Sequence, residues 1–211
     1  MKDYGIKSPK QDAFSSFLRI LNNNGSDLLE WYREAYGVVR PNEQLYLRFV
    51  AITGLRKSEA ITSFNMIHQL YGQKSLNDYY NEELNALEHY KFKEYFLRGS
   101  KNAYISFIRK SLILEIASRR PPTYPQILKQ LKRKGLKCRI NELRDYYGTF
   151  MVRHGLIREE VDLLQGRIPP SIFIRHYWSP SFKELRDRTL TAISELERSF
   201  DNIETDRLAH N

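Results

Sequence analysis

Apolar residues along most of the chain recur every three or four positions, which is the spacing of one face of an α-helix. In the first half this pattern predicts a helix ending at Gly37, a second opening at Pro41 and a third following the break "TGLRKSEA". The third helix is predicted to present Phe64 and Tyr71 on its apolar face. The stretch "GQKSLNDYYNEEL" that follows is polar and reads as irregular.

Helical spacing returns in the second half of the chain. A short helix is predicted near residues 111–118, and a helix and turn over 126–140. A further helix is predicted from Asn141 to His154-Gly155, a shorter one holds Val161 and Leu164 and ends at Gly166, and a long one starts at Ser181. Pro169 and Pro170 change the chain direction, and Ser171 can cap a short helix that leads to Tyr177. Ser181 and Glu184 match a capping box, which satisfies free backbone N–H groups of a first helical turn.

Residues 88–108 break the helical pattern. Aromatic and β-branched residues lie on both sides of a Gly99-Ser100 turn, and inward and outward positions alternate from Ala103 to Ile108. This segment is predicted to form a β-hairpin.

The elements together predict a mainly α protein with a small antiparallel β-sheet, an α+β fold. The chain of 211 residues is long enough for one sizeable domain with its own core. We divide it into an N-terminal extension with a short helix (residues 1–40), a main domain (41–200) and a flexible polar tail (201–211).

The composition of the chain limits the kinds of partner and of site that the protein is expected to have. The formal net charge of +9 favours an anionic partner, either nucleic acid or an acidic membrane surface. A single cysteine, Cys138, excludes an internal disulfide, and five histidines without close pairing make a metal site unexpected. No apolar run is long enough for a membrane span, and the N-terminus lacks the apolar stretch of a signal peptide. The sequence predicts a soluble, cytoplasmic protein without a cofactor.

Three arginines stand at element boundaries, and each has a structural explanation when taken singly. Arg56 can cap helix carbonyls at its turn, Arg144 can pair with Asp145 or Glu142, and Arg167 can interact with the dipole of a helix end.

The order of these arginines and of one tyrosine resembles the catalytic domain of tyrosine site-specific recombinases, the integrase family. Its "TGLRxSE" turn is matched by "TGLRKSE" at 53–59, its "HxLR" by "NELR" at 141–144, and its "LLGH" by "LLQGR" at 163–167. The family's nucleophilic tyrosine normally lies nine residues beyond the histidine, and Tyr177 lies ten beyond Arg167. "LLQGRIPPSIFIRHYW" and "RGSKNAYISFI" resemble integrases of archaeal viruses and plasmids, the fusellovirus type.

The resemblance extends from Asn42 to Phe200 and implies the recombinase catalytic-domain fold with its catalytic residues. These are Tyr177 as nucleophile with Arg56, Arg144, Arg167 and the hairpin lysine Lys101. Arg98, Lys91 and Lys93 are alternatives for that lysine. Asn141, His176 and Glu59 stand in or beside the motifs as supporting candidates, but Asn141 cannot act as a base. The group that deprotonates the tyrosine stays open.

Cleavage of a DNA phosphodiester explains why residues of these types are needed. Its oxygens are anionic and gather more charge in the transition state, and paired N–H groups of two guanidiniums suit them. Tyr177 would attack phosphorus to give a covalent 3′-phosphotyrosine, and the lysine would protonate the leaving 5′-oxygen. Nearby cations lower the pKa of a tyrosine. This chemistry requires no metal.

A basic segment supplies a candidate surface for double-stranded DNA. Its residues are Lys129, Lys132, Arg133, Lys134, Lys137 and Arg139. Such a segment is either a solvated helix face or a surface that contacts phosphates. The resemblance also implies self-association on DNA, as a tetramer during recombination. The apolar stripe from Leu185 to Leu196 packs on its own chain or is exchanged between subunits, and the resemblance favours exchange.

The function implied is integration or excision of a mobile element at the nucleoid of a host cell. Two alternatives remain: a type IB topoisomerase or resolvase-like strand transferase, and a non-catalytic basic helical DNA-binding module with Tyr177 in its core. Only about forty residues precede the resemblance, too few for the N-terminal DNA-clamping domain usual in the family. The chain is therefore expected to be a catalytic fragment or an unusually short recombinase.

Overall fold

The computed structural model describes residues 25–99, 101–167 and 181–208. The α-helices of this part are α1 (Gly25–Val38), α2 (Pro41–Thr53), α3 (Lys57–Gly72), α4 (Lys93–Phe96), α5 (Lys110–Ala117), α6 (Tyr124–Arg133), α7 (Ile140–Arg153), α8 (Arg158–Leu164) and α9 (Phe182–Leu208). The strands are β1 (Tyr80–Asn81), β2 (Ala86–Leu87), β3 (Leu97–Arg98), β4 (Lys101–Asn102) and β5 (Ser106–Phe107). The predicted fold class is confirmed. The short helix predicted before Tyr177 lies outside the described residues.

The boundary between α2 and α3 follows from local sequence. Pro41 occupies the first turn of α2, where its missing N–H costs nothing. Gly54 ends the helix in the left-handed conformation (φ 61°) and returns its N–H to the carbonyl of Val50. A Cβ at Gly54 would lie 2.4 Å from the ring of Tyr147, so this turn sits directly on α7.

The core lies between α2 and α7, with α9 packed across both. The apolar stripe of α9 is fully buried on its own chain; it comprises Leu185, Ala192, Ile193 and Leu196. Arg48 of α2 pairs with Glu197 of α9 at 2.7 Å. The stripe therefore packs in cis in this structure.

The predicted hairpin over residues 88–108 is wrong in its first strand. After β2 the chain forms a 3₁₀ turn at His89–Lys91 and then α4, because the rings of His89 and Phe96 pack at 4.6 Å and are both fully buried. Only the two-residue strands β3 and β4 pair around the predicted turn. Strand β5 instead pairs with β2 in a second, three-stranded antiparallel sheet ordered β1-β2-β5.

A buried series of side-chain hydrogen bonds connects this three-stranded sheet to α3. The Tyr79 hydroxyl donates to Ser63 at 2.8 Å and lies 2.6 Å from Nδ1 of His89, whose Nε2 is 2.9 Å from the Ser106 hydroxyl. Burial lowers the pKa of His89 to about 3, so the ring is neutral at physiological pH.

Several helices differ from the predicted ones in what they bury or in where they end. Tyr71 is half exposed rather than packed, since α3 buries its face only as far as Ile67. Helix α1 belongs to the same core as the rest, with Trp31 donating to the Lys137 carbonyl at 2.8 Å. Helix α9 runs past the predicted tail boundary to Leu208. No helix in the described ranges is long and apolar enough to cross a membrane.

Candidate active site

Arg56 is held at the start of α3 by a buried carboxylate. Its Nη1 donates to Glu59 Oε1 at 2.6 Å and to the Asn102 carbonyl of β4 at 3.2 Å, and its backbone N–H donates to Glu59 Oε2 at 3.0 Å. The Glu59 side chain is fully buried, whereas a quarter of the Arg56 side chain is exposed. Two candidate site residues of the sequence, Arg56 and Glu59, are therefore in direct contact. Since Nη1 makes these bonds, Nε and Nη2 of Arg56 remain as donors on its other edge as far as the described residues are concerned.

Arg144 lies in α7 and is almost entirely buried. Its Nη1 donates to the Gly54 carbonyl at 2.6 Å, and its Nη2 donates to the Gln165 carbonyl. The Gln165 amide returns a bond to the Arg144 carbonyl at 2.7 Å. The ion pairs considered with Asp145 or Glu142 are not among its contacts in the described chain; Glu142 binds Arg139 instead.

The charge of Arg144 is poorly compensated. Burial first, and then the nearby charges of Arg56 and Arg167, lower its pKa to about 10. The guanidinium therefore stays charged at neutral pH in a place that favours an added anion. Within the part of the chain that the structure describes, two of its five N–H donors serve carbonyls, which leaves three for a ligand.

Arg167 follows α8 and is half exposed. Its Nη1 lies 3.5 Å from Asp162 Oδ1, and its backbone N–H donates to the Asp162 carbonyl at 2.7 Å. Its influence on the pKa of Arg144 marks it as the third cation of this region.

The β3–β4 hairpin approaches the same place. Arg98 of β3 pairs with Lys101 of β4, and Arg98 Nη2 lies 3.9 Å from Glu59 Oε1. The side chain of Lys101 lies outside what the structure describes. Lys91 is bound to Glu88 and Lys93 is exposed, so Arg98 is the alternative candidate with a described contact to the cluster.

The charges of Arg56 at the start of α3 and of Arg167 after α8 thus act on Arg144 of α7 beside the β3–β4 hairpin, an arrangement suited to a phosphate group. The profile of the archaeal phage integrase family matches residues 22–185. The chain belongs to this family. No curated protein and no solved structure matches the chain in the other two comparisons.

Integrase-family membership indicates site-specific DNA recombination and DNA binding as the general function. The match begins at residue 22 and so includes α1, which the sequence analysis assigned to an extension. Among the described residues of this integrase-family chain, no group of three His, Cys, Asp or Glu side chains could hold a metal ion.

The remaining candidates are spread more widely. Asn141 is exposed on the first turn of α7. Tyr177 and His176 lie outside the described residues. Of the basic segment, five side chains are exposed, namely Lys129, Lys132, Arg133, Lys134 and Lys137. Arg139 instead pairs with Glu142 at 2.7 Å and with Asp27 at 2.8 Å, and the bond to Glu142 first, then that to Asp27, raises its pKa.

Sequence reasoning missed two residues that shape the site, Gln165 and Asn102. Both act largely through backbone carbonyls, and a carbonyl leaves no mark on residue type. The only signal was positional: Gln165 interrupts the family's "LLGH" pattern, directly before Gly166.

Proposed function

We propose that this protein is a tyrosine recombinase, a DNA strand transferase with Tyr177 as nucleophile, that integrates or excises a mobile element. The observation that supports it most is that backbone carbonyls hold both Arg56 and Arg144 near the β3–β4 hairpin, in a chain of the archaeal phage integrase family. Among the described residues, each guanidinium keeps N–H donors that bind no protein group, as binding of a phosphodiester requires.

In the proposed reaction the phenolic oxygen of Tyr177 bonds to phosphorus while the P–O5′ bond breaks. The phenolic proton passes to water or to a phosphate oxygen, and Lys101 gives a proton to the leaving 5′-oxygen. Arg56, Arg144 and Arg167 neutralise the non-bridging oxygens, and preorganised donors of this kind contribute about 3–4 kcal/mol each in other enzymes. Attack of a 5′-hydroxyl on the phosphotyrosine reverses the step, so rejoining needs no ATP.

Recombination exchanges four strands of two duplexes, and one tyrosine acts on one strand. We therefore propose assembly of four copies on DNA. The exposed lysines of α6 and the following turn would contact the sugar-phosphate backbone, which gives affinity that depends on salt and tolerates sequence. The DNA of the host cell would be the target.

A suicide substrate tests the chemistry. A duplex with a nick just 3′ of the scissile phosphate releases a short 5′-hydroxyl strand, which traps the covalent adduct. We expect wild-type protein to form an adduct that survives denaturing electrophoresis and Tyr177→Phe to form none. Tyr95→Phe is the matched control, since Tyr95 is an exposed tyrosine near the hairpin and its variant should retain the adduct.

Binding without any adduct in wild-type protein would identify a DNA-binding module and overturn the proposal. An adduct accompanied by plasmid relaxation, but without recombination between two attachment sites, would identify a topoisomerase instead.

A further inference from the structure

The two residues that follow α8, Gln165 and Gly166, connect the three parts of the cationic cluster. Gln165 is buried, its carbonyl accepts a bond from Arg144, and its amide donates to the Arg144 carbonyl. Gly148 leaves room for this amide, since a Cβ there would lie 3.0 Å from Nε2 of Gln165. The end of α8 is therefore fixed to α7 at the position of Arg144.

Gly166 then contacts the hairpin. Its backbone is left-handed (φ 68°), and a Cβ on it would lie 1.7 Å from the carbonyl oxygen of Asn102 and 2.4 Å from the carbonyl carbon. Such distances are far inside van der Waals contact. The backbone of β4 can occupy this place only because residue 166 has no side chain.

The same Asn102 carbonyl accepts the bond from Arg56. The Asn102 side chain holds the turn as well, since its Nδ2 donates to the Gly99 carbonyl at 3.0 Å and to the Tyr104 hydroxyl at 3.1 Å. One carbonyl of β4 therefore joins Arg56, the hairpin and the end of α8. Lys101 is the residue directly before it.

We infer that Gly166 is a positioning residue: its bare backbone seats the β3–β4 hairpin, and so sets the place of Lys101 relative to Arg56 and Arg144. The inference rests on the proposed function, in which Lys101 is the general acid. A side chain at residue 166 would push β4 away. Displacements near 1 Å at a reacting centre cost about 100-fold in rate.

Two glycines of the chain offer a matched comparison. Gly155 and Gly166 both have positive φ, but a Cβ at Gly155 would meet nothing within 4 Å. Substitution by Ala imposes a similar backbone strain at both, and only Gly166→Ala adds the collision with β4. We expect the single-turnover rate of adduct formation at saturating DNA to fall about 100-fold in Gly166→Ala and less than about threefold in Gly155→Ala.

A modified substrate distinguishes displacement of the general acid, Lys101, from a general loss of order in the active site. With sulfur in place of the bridging 5′-oxygen, the leaving group is a thiolate, which needs no proton because thiols ionise near pH 8.5. We expect this substrate to restore at least about tenfold of the rate lost in Gly166→Ala. A rate that stays low with the sulfur substrate would overturn the assignment.

Asn102→Ala covers the case in which Gly166→Ala does not fold. It keeps the carbonyl but removes both side-chain bonds of the turn, so we expect slower cleavage of the oxygen substrate and recovery with sulfur. Full activity of Asn102→Ala, or equal rates in Gly166→Ala and Gly155→Ala, would overturn the inference alone. Absence of any adduct in wild-type protein would overturn the proposed function and this inference with it.

Discussion

Arg144 is a cation enclosed by protein, and two backbone carbonyls take the place that a carboxylate would usually fill. Carbonyl dipoles fix the guanidinium plane without neutralising its charge. Burial, and after it the nearby charge of Arg56, lowers the pKa of Arg144, and a bound phosphate would add negative charge beside it. Arg56 differs, since it has a buried carboxylate as a permanent partner.

The partner of Arg56 gives a prediction at this scale. In Glu59→Ala, Arg56 loses its carboxylate and the N-terminus of α3 loses the acceptor of a backbone N–H. We expect adduct formation to slow by roughly 100-fold, because the guanidinium is no longer held in place. Single-turnover cleavage of the suicide substrate measures this.

Glu142→Ala is the control for Glu59→Ala. It breaks a carboxylate–arginine pair of the same i,i+3 spacing, between Glu142 of α7 and Arg139 directly before that helix. It should leave the cleavage rate within about threefold of wild type, as expected for a pair near the surface. Equal effects of the two substitutions would show that Glu59 acts only as a helix cap.

Among the elements, the small sheet depends on a buried neutral histidine. Burial lowers the pKa of His89 to about 3. Below pH 6.5 the imidazole of His89 therefore binds a proton in the unfolded chain but stays neutral in the folded chain. This contribution to stability is complete above pH 6.5 and declines as the pH falls toward 3. The loss amounts to about 1.4 kcal/mol per pH unit well below pH 6.5.

We therefore expect His89→Gln to have a shallower decline of unfolding free energy between pH 6.5 and 4, measured by urea denaturation. Glutamine can still donate and accept toward Tyr79 and Ser106. His154→Gln is the control, because His154 is partly exposed beside Glu195. A wild-type slope in His89→Gln would mean that His89 is protonated in the folded protein.

Helix α6 gives a second prediction at this scale. If the exposed Lys129 and Lys132 contact phosphates, each substitution by Ala should reduce the slope of log K against log salt by about 0.9, measured by fluorescence anisotropy on duplex DNA. Lys110→Ala is the control, since its ammonium is paired with Glu82. An unchanged slope in both α6 variants would place the DNA elsewhere.

Helical elements were largely predictable from the sequence, and the strands were not. Long amphipathic helices such as α7 and α9 repeat one apolar face over many turns, so their spacing is unambiguous. The segment 88–96 is rich in aromatic residues, which favour strands, but it forms a 3₁₀ turn and a short helix in which Phe96 stacks on Tyr79, a residue that precedes β1. Strands of two residues are too short to leave a pattern.

The arginines of the site were predictable for a different reason, namely that sequence motifs surround them. The carbonyls of Gly54, Asn102 and Gln165 that hold them were not predictable. Any residue type presents a carbonyl, so only the folded backbone determines which ones face a guanidinium. The role of Gly166 likewise depends on a neighbour 64 positions earlier, Asn102.

At the scale of the whole molecule, α9 closes the core by packing against α1, α2 and α7 of its own chain. The buried Glu160 of α8 is paired with Arg188 of α9, which also anchors the helix beside the end of the site. Every one of these contacts would have to be broken before α9 could reach another copy. The free chain is therefore expected to unfold as one unit that includes α9.

Leu196 tests this arrangement, because it is fully buried in the stripe of α9. Leu196→Ala should lower the unfolding free energy by about 2–5 kcal/mol in urea, the usual cost of a cavity in a packed core. Leu114→Ala, at an exposed leucine, should cost less than about 1 kcal/mol. If α9 packs in cis, the wild-type midpoint is the same at low and high protein concentration. A midpoint that rises with concentration would show instead that α9 is exchanged between copies, since unfolding would then include dissociation.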